Sequence, residues 1–204
     1  AMHDQTERKV AGRALAEKET RLQKMFDQAI VGIAEAAPGG KLELVNPRFC
    51  EILGRSVEEL QSCKVEDFTH PDDQVWNMPL LKEKLAKGQP FQIEKRYVRP
   101  GGEIVWCNVS VSFITSDTGE VEKSIVVAED ITDRKADRAA LDESELLYRS
   151  VVQASTDCIK IVDVDGTIRF VNEPGLCALE IDERDAVIGK SWQELWPASY
   201  KDTI

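Results

Sequence analysis

A stretch near the start of this chain returns, with its strand pattern intact, about one domain length later. Gly40-Lys41-Leu42-Glu43-Leu44-Val45-Asn46 reappears as Gly166-Thr167-Ile168-Arg169-Phe170-Val171-Asn172, an offset of 126 residues. Gln28-Ala29 reappears as Gln153-Ala154 at an offset of 125, and Lys64 as Lys190 at 126. Solenoid repeats have periods of roughly 20–50 residues, so this period fits a duplicated domain of ordinary size. What recurs is a turn glycine, alternating apolar residues and an Asn, which is strand and turn chemistry rather than a catalytic string. The chain must therefore fold as like modules, and 204 residues hold one in full and the front half of another.

Apolar residues at 42% support a proper core, and 31% charged residues give a soluble surface. The balance of 26 basic against 37 acidic residues, a net charge of −11, disfavours nucleic acid and anionic membrane as partners. No run approaches the roughly 18–20 apolar residues that cross a bilayer, and the polar start Ala1-Met2-His3-Asp4 lacks a signal core. The expected location is cytoplasmic, and Ala1 ahead of Met2 reads as an expression scar on a piece of a longer protein. Cys50, Cys63, Cys107, Cys158 and Cys177 are odd in number and form no Cys-x-x-Cys. Neither His3 nor His70 completes a zinc spacing, so reduced thiols and no metal site are expected.

Thr6 to about Phe26 reads as a helix with a thin apolar stripe at Ala11, Leu15, Leu22, Met25 and Ala29, suited to a helix–helix seam or to lying on its own domain. Strands near Gly32–Ala36 and Lys41–Val45 flank the Pro38-Gly39-Gly40 turn. Asn46-Pro47 then caps a short helix closed by Gly54, with Phe49, Ile52 and Leu53 inside. Ser56 and Glu59 form a capping box, and His70-Pro71-Asp72-Asp73 turns into a helix ending near Lys87. From Phe91 the period becomes two: Phe91, Ile93 and Tyr97 alternate with charged residues, and Val105, Cys107, Val109, Val111 and Phe113 follow the Pro100-Gly101-Gly102 turn. A third strand runs from Val121 to Ile131, completing an antiparallel meander. The order two strands, small helices, three strands describes an α+β domain with one sheet and its helices on one face. A charged helix from Asp133 to Val152, with a bend expected near Asp142–Ser144, leads to the second copy. That copy has strands near Cys158–Val162 and Thr167–Val171 and helices near Pro174–Leu179 and Glu183–Ile188.

The full copy resembles a PAS domain with its PAC extension, as found in bacterial sensor kinases and cyclic-di-GMP enzymes. The resemblance rests on Asn46-Pro47-Arg48-Phe49-Cys50-Glu51-Ile52-Leu53-Gly54, His70-Pro71-Asp72-Asp73, Tyr97 to Trp106, and Asp130-Ile131-Thr132-Asp133-Arg134-Lys135. The second copy matches through Asp163-Val164-Asp165-Gly166 and Asn172 but lacks the Phe and Gly of the helix motif. The resemblance implies a five-stranded antiparallel sheet whose concave face, roofed by small helices, holds a ligand. It also implies homodimerisation through amphipathic flanking helices, and a signal passed to an output domain through the helix after the last strand. The implied organisation is a leader helix over 1–24, a PAS/PAC domain over 25–133, a connecting helix over 134–152 and half a second PAS domain over 153–204. Asp130, Ile131 and Thr132 mark the relay, with Asp130 or Thr132 capping the strand-to-helix junction.

Catalysis within this piece is not expected. His70 sits in a Pro-Asp-Asp turn, no Gly-rich phosphate loop leads into a helix, and Asp72 and Asp73 point about 100° apart, where they complement the helix dipole. Val65 occupies the place of the reactive Cys of light-sensing flavin relatives, and Gln74–Lys87 carries no His for haem. A non-covalent flavin between Trp76 and Trp106 is the cofactor alternative, although packing is the favoured role of both indoles. An uncharged small metabolite, or nothing, is the expected cavity content. Its candidate lining is Ile33, Phe49, Ile52, Leu53, Leu80, Leu81, Leu85, Ile93, Tyr97, Val109, Val111 and Val127, all of which also suit plain core packing. Past Ser155 the strands lack a meander to pair with, so an open edge is expected there.

Overall fold

The computed structural model describes residues 2–178, 181 and 187–195, and it divides into two compact units, 1–136 and 137–204. Unit 1 runs α1 (Met2–Asp27), β1 (Gly32–Ala36), β2 (Leu42–Val45), α2 (Pro47–Leu53), α3 (Val57–Ser62), a 3-10 turn at Val65–Phe68, α4 (Pro71–Lys87), β3 (Phe91–Val98), β4 (Ile104–Thr115) and β5 (Val121–Asp130). The five strands form one antiparallel sheet in the order β2-β1-β5-β4-β3. This is the α+β fold expected from the sequence. Inward alternation on β4 buries Val105, Cys107, Val109 and Val111. The small helices start and stop where the sequence directs. Asn46 and Pro47 open α2, and Gly54 closes it at φ +63°. Ser56 and Glu59 make the reciprocal cap of α3 at 3.2 and 2.8 Å.

β5 ends at Asp130; Ile131, expected within the strand, is instead a buried pivot before α5 (Thr132–Ala154). α5 runs through 142–144 as continuous helix. In unit 2, β6 (Lys160–Val162) and β7 (Ile168–Val171) pair antiparallel, followed by α6 (Glu173–Ala178) and a 3-10 turn at Trp192–Leu195. Ile168, Val171, Leu176 and Val187 form its buried cluster. The helix expected near Glu183–Ile188 falls mostly outside the described residues, as does Leu179.

Asn46 does more than cap. Its buried Oδ1 accepts the backbone N–H of Ile33 (2.8 Å) and of Phe49 (2.9 Å), while Nδ2 donates to the carbonyls of Phe26 (3.1 Å) and Val31 (3.0 Å). One amide thus joins the end of α1, β1 and α2. Asn172 repeats the arrangement: Oδ1 accepts from Ile159 (2.9 Å) and Gly175 (3.0 Å), and Nδ2 donates to Val152 (3.1 Å) and Asp157 (2.8 Å). Every pair of residues in these two sets is 126 apart, from Phe26 and Val152 to Phe49 and Gly175. The Gln28-Ala29 match at 125 is therefore one residue out of structural register. Lys64 and Lys190 are also not equivalents: Lys41 bridges Lys64, whereas Thr167 bridges Ser191.

The same register explains why the second copy lacks the aromatic of the helix motif. A Cβ at Gly32 would stand 2.9 Å from Phe49 Cδ2 and 3.0 Å from its Cα. At offset 126 those two positions hold Cys158 and Gly175, and a Cβ at Gly175 would meet Val171 Cγ1 at 2.6 Å and Cys158 Sγ at 3.2 Å. Each copy has room for one side chain where α2 or α6 crosses its first strand. Copy one gives that room to the helix, copy two to the strand side.

Two outcomes follow from these contacts. Asn46→Ala leaves the Phe26 and Val31 carbonyls without their donor, and should destabilise unit 1 by about 3 kcal/mol in urea unfolding; a loss under about 1 kcal/mol would show that the amide does not hold the three elements. Gly32→Cys should cost about 2 kcal/mol through overpacking in the parent, and much less in a Phe49→Gly background. A double-mutant cycle measures the difference, and additive effects would show that the two positions do not compete for space.

Candidate functional site

Helix α4 and strand β3 form the wall of the site. Only Gly88-Gln89-Pro90 separates them, and at the other end Arg96 of β3 holds Asp73 of α4, so the two elements run antiparallel. Between α4 and the concave sheet lies a largely enclosed cavity of about 40 Å³. A water needs roughly 10–15 Å³ on this measure, so the space corresponds to a few waters or a very small organic molecule. Of the residues expected to line it, Leu81, Leu85, Ile93, Tyr97, Val109 and Val111 do. Phe49, Ile52 and Leu53 are buried in the core below without reaching the wall, and Leu80 is half-buried beside it.

Ile33 and Val127 are corrections. On β1 the buried positions are Gly32, Ala34 and Ala36, and on β5 they are Ser124, Val126 and Ala128. With a period of two, Ile33 and Val127 face the other side of the sheet; Ile33 lies in a groove with Leu22, Met25 and Phe26 of α1. The true β5 contributors are Ser124 and Val126.

The residues missed are polar. Asn77 and Lys95 line the cavity and are 2% and 3% exposed. Phe91, Ile93, Lys95 and Tyr97 are all odd-numbered positions of one strand, so the alternation itself places the lysine inward, and its charge masked that signal. Nζ of Lys95 lies 4.7 Å from the Tyr97 ring centroid and 3.5 Å from Thr69 Oγ1, a weak hydrogen bond. Burial, opposed by the charge of Asp73, brings its pKa down to about 8. Burial likewise pushes the Cys107 thiol up to about 12 and the Tyr97 hydroxyl up, so neither ionises near neutrality. Tyr97 Oη is buried and has no hydrogen-bond partner.

Asp72 and Asp73 do not simply serve the helix dipole. Both converge on Arg96: Asp73 takes its backbone N–H (2.7 Å), Nε (3.2 Å) and Nη2 (2.7 Å), and Asp72 takes Nη2 at 3.3 Å. Burial raises the Asp73 pKa, but the hydrogen bonds and charge of Arg96 outweigh it and the net direction is down. Asp73 is thereby committed to Arg96 and does not neutralise Lys95 at hydrogen-bond distance.

At the relay, Asp130 Oδ1 accepts the Thr132 N–H (2.9 Å), and Thr132 Oγ1 accepts the N–H of Trp106 (3.0 Å). Ile131 N–H donates to the Trp106 carbonyl at 2.9 Å. Glu94 of β3 holds Lys135 (2.5 Å) and Arg134 (3.6 Å) in the first turn of α5. Trp106 stands between Lys135 and Arg96, 4.9 and 5.5 Å from its ring centroid. Trp76 is exposed, and neither indole lines the cavity. At about 40 Å³ the space has no room for an isoalloxazine or porphyrin ring as it stands. Among the described residues no group of His, Cys, Asp and Glu is arranged to hold a metal ion, and no helix is long and apolar enough to cross a membrane.

Lys95 holds its proton less tightly when folded than when unfolded, so its charge costs stability below pH 8, and the cost fades as pH rises from 8 toward 10.5. Lys95→Met should stabilise the ligand-free protein by up to about 3 kcal/mol at pH 7. The gain should shrink above pH 10 in thermal or urea unfolding. A variant equally or less stable at pH 7 would show that the ammonium is well solvated in the cavity.

A family model described as PAS fold matches residues 43–128, and one described as PAS domain matches residues 156–204. The chain is 29% identical over 123 residues to the probable diguanylate cyclase DgcE of Escherichia coli, covering 59% of this chain and 11% of that protein. It is 25% identical over 147 residues to the sensor histidine kinase TmoS of Ectopseudomonas mendocina, covering 70% and 14%. The chain thus spans under a sixth of the length of these relatives. Among solved structures, a sensory box histidine kinase/response regulator from Burkholderia thailandensis is similar at TM-score 0.51 and 26% identity, covering 64% of this chain and 98% of the other. A PAS domain from Colwellia psychrerythraea shares the fold at TM-score 0.53 and 18% identity, covering 56% and 97%.

Proposed function

Because this chain belongs to the PAS family of sensory domains, we propose that unit 1 receives a small molecule in the cavity under α4 and passes its occupancy to α5. The observation that carries this is the tripeptide Glu94-Lys95-Arg96. Lys95 points into the cavity, Glu94 holds the first turn of α5, and Arg96 holds the start of α4. Successive residues of a strand share one backbone, so a change in strain at Lys95 reaches both helices within one residue. Occupancy would shift the balance between two settings of the β3 edge, and α5 would carry the shift onward by tilt or rotation. The output domain, a kinase or cyclase by analogy with the relatives, would lie elsewhere in a longer cytoplasmic protein. The part described works by binding and geometry rather than by catalysis. A flavin-based redox or light sensor is the alternative that a yellow purified sample would revive.

A second reading, dimerisation without any ligand, is favoured by the flanking helices. Leu15, Leu22 and Met25 on α1 are exposed, as are Leu141, Tyr148 and Val151 on α5. Their spacings of seven and three are those of a coiled-coil seam. The partner is a second copy of this chain, with the stripes pairing like to like.

Both readings can be measured on the full chain. Leu81→Trp fills the cavity as a ligand would, and should change amide exchange in the first turns of α5 severalfold; identical protection across 132–152 would count against relay. Leu22→Glu should shift the sedimenting species toward monomer, and an unchanged dimer would move the interface off α1.

A further inference from the structure

The polar groups of the cavity gather at one end, Ser124 excepted. Because α4 and β3 run antiparallel, Asn77 sits beside Lys95 and Tyr97, and the succeeding helix turns bring Leu81 and Leu85 beside Ile93 and Phe91. At the polar end an ammonium 3% exposed has one weak hydrogen bond, leaving donors unused, and a buried tyrosine hydroxyl has no partner. The nearest carboxylate, Asp73, is saturated by Arg96. A buried cation so poorly matched is a standing cost, and the ligand that removes it brings a negative charge with acceptors. Apart from Ser124 the remaining wall is apolar, and the volume is about 40 Å³, so the rest of that ligand is short and hydrophobic. A phosphate or sulfate would turn some of its oxygens toward Leu81, Leu85 and Ile93, which offer no donor.

We infer that this cavity takes a short aliphatic monocarboxylate, its carboxylate on Lys95 Nζ beside Tyr97 and Asn77 and its alkyl tail against Leu81, Leu85 and Ile93. The inference deepens the sensory reading and rests on it. The groups facing Lys95 leave its charge in control of affinity. Asp73 on α4 is an ion pair with Arg96, while Cys107 on β4 and Tyr97 on β3 stay neutral through the working range.

Calorimetric titration of the full chain with sodium acetate, propionate and butyrate tests this, with propionamide, chloride and inorganic phosphate as controls. Propionate should bind at least tenfold tighter than propionamide. Its affinity should fall roughly thirtyfold between pH 7 and 9.5, as Lys95 loses its proton near pH 8. Lys95→Met should weaken propionate at least tenfold while leaving the protein folded, and Leu81→Trp should exclude butyrate first. Equal binding of propionamide, or full affinity in Lys95→Met, overturns the carboxylate assignment while leaving the cavity a receptor of small neutral molecules. Binding of phosphate or chloride as tightly as propionate overturns it as well. No binding of any of these, together with unchanged α5 exchange in Leu81→Trp, overturns both the assignment and the sensory reading.

Discussion

A single buried amide sets the frame of each module. Asn46 spends both lone pairs of Oδ1 and both hydrogens of Nδ2 on backbone groups from α1, β1 and α2, and no other side chain offers two donors and two acceptors in so small a volume. Aspartate lacks the donors and serine the reach. Fixing these three segments orients the first strand, and β5 and β4 then build outward from β1. The identical set of bonds at Asn172 shows that the duplicated unit is this junction, from the end of the preceding helix to the start of the small helix. The leader helix and the connecting helix are thus equivalent parts, each tied by its last turn to the module that follows it.

Where local chemistry decides the structure, the sequence is easily read. Ser56 with Glu59, Gly54, Pro47 and the strand alternation of β4 each act within a few residues, and their elements appear where expected. Less was visible where a contact pairs distant residues. Gly32 looks like any strand glycine until Phe49 is placed 2.9 Å from its missing Cβ. The exchange to Cys158 and Gly175 in the second copy then reads as one steric constraint met in two ways, and the absent aromatic ceases to be a defect of the motif. Fixing the register by Gln28-Ala29 misled for the same reason, because letters can coincide where hydrogen bonds do not.

The cavity shows the sharper limit. Residue type alone favours apolar side chains as the lining of a hollow in a sheet. That criterion puts Ile33 and Val127 inside against their strand parity, and leaves out Lys95, whose parity is inward. Parity is a geometric fact of the strand, whereas the rule that lysines face water is only a statistical one. When the two conflict, the strand's geometry wins and the energetic penalty marks the position. Arg96 is hard to read for the complementary reason: its partners Asp72 and Asp73 lie 24 and 23 residues back, beyond any local spacing rule.

That penalty bears on why the edge strand couples to its neighbours. A buried ammonium with one weak hydrogen bond and one aromatic face for company raises the free energy of the empty state, so the empty and filled cavities differ by more than the contacts a ligand would make to apolar walls alone. A ligand shifts a conformational balance only by its differential affinity for the two settings, and a charge that is exposed to compensation in one setting and stranded in the other supplies such a difference. β3 is the strand able to use it. As the edge of the sheet it pairs with one strand, β4, its outer side meets backbone only at Thr69 and His70, and the flanking Glu94 and Arg96 are gripped by α5 and α4. An apolar residue at 95 would make the module more stable and, by the same step, remove the energy difference that a signal requires.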